Sequence, residues 1–164
     1  MFYILWSVLL GTPQFYLYTE EKDIKMRITL ESDYALRILT TMASYEGVTD
    51  ATTISEDTSV TQRFTLKILH KLVQGGLVQS FKGVKGGYIL KTSPDKITLK
   101  TVIELIDGPI AIARCLDSSE CCSLNCDKSS CDYHHIFDII SIDLANKLNK
   151  ITILDVINKN YTFS

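Results

Sequence analysis

Between Tyr34 and Ala43 the apolar residues Tyr34, Ala35, Leu36, Ile38, Leu39, Met42 and Ala43 recur at steps of three and four. That spacing predicts an amphipathic helix with one core-facing side. Ser32 or Asp33 is placed to cap its start, and Gly47 ends it or lies just beyond. Thr52 to Asp57 reads as a short helix and Ser59-Val60 as a turn. Thr61 then opens a helix reaching about Gln74, with Phe64, Ile68, Leu69, Leu72 and Val73 as its buried stripe and Gly75-Gly76 as its stop. Gln62, Arg63, Lys67, His70 and Lys71 fall largely on its other sides. Leu77 to Lys82 reads as a short strand, Gly83-Val84-Lys85-Gly86-Gly87 as a Gly-rich turn, and Tyr88 to Leu90 as the returning strand. Helix, short helix, turn, longer helix and hairpin, in that order, make a winged helix-turn-helix.

Beyond the hairpin the pattern changes. Pro94 and Asp95 open a connector, Thr98 caps a predicted helix over Leu99 to Ile106, and Gly108-Pro109 closes it. A Cys-rich loop follows. A long helix then carries Ile136, Phe137, Ile139, Ile140, Ile142, Leu144 and Leu148, more apolar residues than one narrow face needs. Such a helix is buried against something, and a second subunit is its natural cover. The expected fold is mainly α with a small β-hairpin wing and a long C-terminal dimerisation helix. The expected divisions are a DNA-binding domain over 26–92, a connector and helix over 93–113, a Cys-rich loop over 114–134, a dimerisation helix over 135–157 and a tail over 158–164.

Composition is that of an ordinary globular chain, 46% hydrophobic and 22% charged, which argues against disorder. The net charge of −2 is uninformative, but its distribution is not. Thr58 to Lys91 contains Arg63, Lys67, Lys71, Lys82, Lys85 and Lys91 and no acidic residue, so the remainder of the chain carries −8. A basic segment in an otherwise acidic protein is the footprint of a polyanion-binding face, the alternative being a solvated basic surface. The apolar run from Phe2 to Leu10 is too short for a membrane span and lacks the flanks of a signal peptide. Residues 1–25 are therefore read as a non-native extension ahead of a natural start at Met26, the alternative being a weak membrane anchor. A cytoplasmic protein with no membrane partner is expected.

A helix with basic residues in its N-terminal half can enter the major groove of double-stranded DNA. Gln62, Arg63 and Thr65 are placed nearest the bases. Lys67, His70 and Lys71 are placed near phosphates, which fix position and salt dependence rather than sequence. Lys82 and Lys85 at the Gly-rich hairpin tip suit close approach to the DNA backbone or minor groove. No Walker-type loop, nucleophile elbow or paired-carboxylate motif is present, so no enzyme is expected.

The string MRITLESDYALRILTTMA from Met26, together with VTQRFTLKILHKLVQGGLVQSFKGVKGGYIL and ITLKTVIELIDGPI, resembles the Rrf family of bacterial winged-helix transcription regulators. The resemblance runs from Met26 to about Ile157. Thr65 departs from it, standing where the family more often has an apolar residue. The resemblance implies a homodimer acting at promoters, usually as a repressor, and in some members an iron–sulfur cluster that senses nitric oxide, redox state or iron supply.

All five cysteines lie between Cys115 and Cys131, with His134 and His135 just after. This clustering points to a metal or cluster site rather than to a disulfide framework. Thiolates bind both iron–sulfur clusters and zinc. By resemblance Cys115 corresponds to the family's first ligand and Cys131 to its third, while the middle one is Cys121 or Cys122; Cys126 is extra. The fourth ligand is His134, as in a 2Fe–2S site of three Cys and one His, or Asp33, as in a 4Fe–4S site completed by the partner subunit. Zinc is the second reading of the loop and a thiol switch the third. A small iron–sulfur redox carrier is the reading from outside regulation, and it leaves the basic helix and wing without purpose.

Overall fold

The computed structural model describes residues 28–83, 86–116 and 128–161. The proposed extension over 1–25, Lys85 at the wing tip, and Cys121, Cys122 and Cys126 of the loop lie outside the described residues.

Six helices and one hairpin follow in order among these residues: α1 (Leu30–Met42), α2 (Ala51–Thr58), α3 (Gln62–Gln74), β1 (Val78–Phe81), β2 (Gly87–Leu90), α4 (Leu99–Asp107), α5 (Asp132–Asn149) and α6 (Ile153–Asn158). Short 3-10 turns cover Pro94–Lys96, Arg114–Leu116 and Lys128–Ser130. Helix α1 starts earlier than the sequence pattern indicated. Thr29 is its cap, accepting from Ser32 N, while Ser32 itself is buried and donates to Asp107 at the end of α4. Thr29 Oγ1 also donates to Asp107, at 2.5 Å. The Asp107 carboxylate thus sits at the positive end of α1, where a negative charge is favourable.

Helix α2 is capped by Asp50, whose Oδ1 accepts from Thr52 N and Thr53 N. It ends at Ser59 with φ 54°, a left-handed residue that turns the chain sharply into α3. Helix α3 ends at Gly75, and Gly76 takes φ 75°, as the two glycines predict. Strands β1 and β2 pair antiparallel from Val78↔Leu90 to Phe81↔Gly87. Thr49, just before α2, adds a bridge to the wing: Thr49 N donates to Tyr88 O at 2.9 Å and Tyr88 N to Thr49 O at 2.8 Å. A side chain on Gly87 would stand 2.5 Å from the Thr49 carbonyl, so only glycine allows this close approach.

One core joins these elements. Ala35, Ile38 and Leu39 of α1, Ile54 of α2, Ile68, Leu69 and Leu72 of α3, Val78 of β1, Ile97, Val102 of α4 and Ile153 of α6 are all buried. Each such Leu or Ile contributes about 1.5–3 kcal/mol relative to exposure. Helix α6 separates from α5. The chain breaks at Lys150, and Thr152 with Asp155 forms a reciprocal capping box that starts a new helix. The single helix expected over 135–157 is therefore two, and the second returns to the core.

Candidate nucleic-acid interface and cysteine loop

Helix α3 buries Thr65, Ile68, Leu69 and Leu72, positions spaced three and four apart. Its opposite side leaves Gln62, Arg63, Leu66, Lys67, His70 and Gln74 on a shallow open groove. This face carries no acidic residue. Gln62 Nε2 donates to Thr52 Oγ1 at 3.1 Å, which ties the start of α3 to α2 and sets the turn of the helix pair.

Thr65 requires a correction. It is fully buried, and its hydroxyl donates to Val60 O at 3.3 Å. It belongs to the core stripe and cannot reach a base. Phe64 moves the other way: it is 40% exposed and meets the Tyr34 ring edge-on at 6.0 Å between centroids. Leu66 is 44% exposed on the open face, and no period or charge in the sequence marks it as a surface position.

The cationic residues differ in their engagement. Lys67 and Lys71 both donate to Glu31 of α1, Lys71 at 2.7 Å. Lys71 also reaches Ile106 O at 3.4 Å. These two hydrogen bonds, Lys67 first, hold the Glu31 carboxyl below its usual pKa. Glu31 was not visible as a partner because 36 and 40 residues separate it from the lysines. Lys82 is exposed at the end of β1.

At the Cys loop the structure describes the two edges. Cys115 lies in the Arg114–Leu116 turn, which packs on α5. Ile112 N, three residues before it, donates to Ser141 Oγ of α5 at 3.1 Å. Cys131 caps α5 at the other edge, and His134 stands in the first turn after it. Both described thiols are partly buried and free of disulfides. The loop therefore leaves and rejoins the chain on one helix, and its edges supply two thiols and an imidazole. Thiols and imidazoles are donor types that iron–sulfur clusters and zinc accept, but among the described residues no three such donors come together as a metal site. Asp33 is placed elsewhere: its carboxylate pairs with Arg37 of its own helix at 2.7 Å.

Beyond the loop, α5 packs against α4 but leaves Ile136, Ile139, Ile140 and Ile142 exposed, Ile139 by 53%. No described helix is long and apolar enough to cross a membrane.

A helix-turn-helix with an open, acid-free second helix and a two-stranded wing defines a winged-helix DNA-binding regulator. Residues 28–159 match the model of the Rrf2 family, described as iron-dependent transcriptional regulators, and the chain belongs to that family. It is 31% identical over 97 residues to the HTH-type transcriptional regulator CymR of Bacillus subtilis, covering 58% of this chain and 70% of the relative. To the HTH-type transcriptional regulator IscR of Erwinia tasmaniensis it is 27% identical over 135 residues, covering 81% and 79%. The fold is also that of solved structures. CymR of B. subtilis, described as the global cysteine regulator of that organism, superposes with a TM-score of 0.65 at 23% identity, covering 83% of this chain and 99% of that one. IscR of T. potens superposes with a TM-score of 0.63 at 18% identity, covering 85% and 95%. These relatives are named as regulators and not as enzymes.

Proposed function

We propose that this regulator binds promoter DNA as a homodimer, with the open face of α3 in the major groove, and that its Cys loop holds an iron–sulfur cluster controlling that binding. The acid-free face of α3 carries the DNA reading. Arg63 is suited to a guanine edge and Leu66 to a thymine methyl, while His70 and Lys82 address phosphates. The exposed isoleucines of α5 support the dimer, since a second copy of the same stripe covers them symmetrically. Repression is the mode this reading favours.

The cluster reading is supported by the thiols of Cys115 and Cys131, by His134, and by the similarity to IscR proteins. Cys121 or Cys122 supplies the third thiolate, and His134 or the partner's Asp33 the fourth ligand. A bound cluster supplies a redox- and nitric-oxide-sensitive centre. A ligand taken from α1 would have to leave Arg37 first. A second reading, a thiol-controlled regulator without a cluster, is favoured by the similarity to CymR proteins.

Anaerobic purification with visible absorbance and with iron, acid-labile sulfide and zinc assays tests the proposal. A coloured protein with matching iron and sulfide is the expected result. A colourless one, with zinc or no metal, overturns the cluster reading and leaves the DNA reading to a gel shift.

A further inference from the structure

Glu31 is the one acidic residue that the described structure joins to the basic side of α3. Its two carboxylate oxygens are divided between two lysines one helical turn apart: Oε1 takes Lys67 and Oε2 takes Lys71. The two lysines are not equivalent. The Lys71 side chain is 32% exposed and has a second acceptor in Ile106 O, so it is held as a strut between α1, α3 and α4. The Lys67 side chain is 53% exposed and borders the open groove that also contains Arg63, Leu66 and His70. An exposed pair of this kind shifts an equilibrium by about fivefold or less, so Lys67 can exchange its partner at small cost.

A carboxylate and a phosphate offer an ammonium group the same kind of acceptor, a charged oxygen. We propose that Glu31 is an internal anion that holds Lys67 in the DNA-free protein and competes with a DNA phosphate for it, setting the affinity of the recognition helix. This inference rests on the DNA-binding reading above. Lys71 remains on Glu31 and Ile106 while Lys67 swings outward, so the contact between α1 and α3 survives the exchange. The residue acts through Lys67 and touches no base.

The size of the effect follows from the pair that must open: releasing an exposed ion pair changes affinity by about fivefold or less. The Lys67–phosphate contact itself accounts for about 0.9 in the dependence of log affinity on log salt. Because this component is independent of sequence, a mixed-sequence duplex of about thirty base pairs is a sufficient probe.

Fluorescence anisotropy across a salt series, with thermal midpoints recorded alongside, provides the test. Glu31→Gln should bind several-fold more tightly than wild type with an unchanged salt slope, since Lys67 meets phosphate in both complexes, whereas Lys67→Gln should lower the slope by about 0.9. Lys67→Gln should bind more weakly, and Glu31→Gln should add nothing in the Lys67→Gln background. Glu31→Asp keeps the charge but shortens the reach, so it should shift affinity in the same direction by less. Unchanged or weaker binding by both Glu31 variants, at unchanged thermal midpoint, overturns the inference. So does an equal gain in the Lys67→Gln background, which would assign Glu31 a general repulsion of DNA. A wild type that binds and weakens on Arg63→Ala, while Glu31→Gln does nothing, overturns the inference alone. A wild type that binds no duplex overturns the DNA reading together with it.

Discussion

Thr65 shows how a polar side chain can mislead. Its type suggested a surface position, but it stands in phase with Ile68, Leu69 and Leu72, and the helix buries all four. The period was present in the sequence; the hydroxyl obscured it. Val60 O, which accepts from Thr65, also accepts from Ser55 Oγ at 2.6 Å, so losing the threonine hydroxyl leaves no orphan acceptor. Thr65→Val should therefore change stability by less than about 1 kcal/mol and leave DNA affinity unchanged, as urea titration and gel shift can check. Arg63→Ala, on the open face, should cost about 1–3 kcal/mol of binding at one base position and little stability. Glu31 behaves differently again. Its carboxyl is stabilised in the ionised form by Lys67 and Lys71, so its contribution is fully present above the unfolded value near 4.5 and is lost as pH falls through the lowered folded value. Glu31→Gln should flatten the acid limb of a thermal midpoint against pH curve. No sequence window could have paired Glu31 with lysines so far along the chain.

Helices α2, α3 and α4 and both wing strands lie within a residue or two of where period and caps placed them, because each is bounded by strong local signals such as Thr61, Gly75-Gly76 and Thr98. The break between α5 and α6 lacked such punctuation: Lys150-Ile151-Thr152 holds neither Gly nor Pro. The available signal was Thr152-x-x-Asp155, a capping box inside an apolar pattern that otherwise continues. The wing depends on one tight approach. Gly87→Ala would push a methyl into the Thr49 carbonyl and should cost about 1–3 kcal/mol, with protection of the Tyr88 amide falling in hydrogen exchange. In the proposed dimer, Ile139→Asp places a charge within the exposed apolar stripe of α5 and should release monomers in analytical ultracentrifugation, with the fold of each subunit intact.

The assembled chain links three sites: the face of α3, the stripe of α5 and the edges of the Cys loop. The fold that carries them was legible because amphipathic periods specify helices and because GGLVQSFKGVKGGY specifies a wing. The Cys loop was legible only as a cluster of thiols, since spacing along a loop does not determine how that loop closes. For the proposed cluster, Asp33→Ala and His134→Ala separate the two fourth-ligand schemes. The variant that removes the ligand in use should lower iron and sulfide content in anaerobic preparations, while the other should leave both unchanged.

The return of α6 has a mechanical consequence. Leu99 N donates to Ile151 O and Ile153 N to Ile97 O, each at 2.9 Å, and Ile153 is fully buried in the same core as α3. At its middle α5 is held by Ser141 to the approach of the Cys loop. Helix α5 is therefore fastened at two points along its length and cannot swivel as a free lever on a single pivot. In the proposed dimer, a torque on the outer side of α5 would reach α3 as a rigid tilt rather than be dissipated in a hinge.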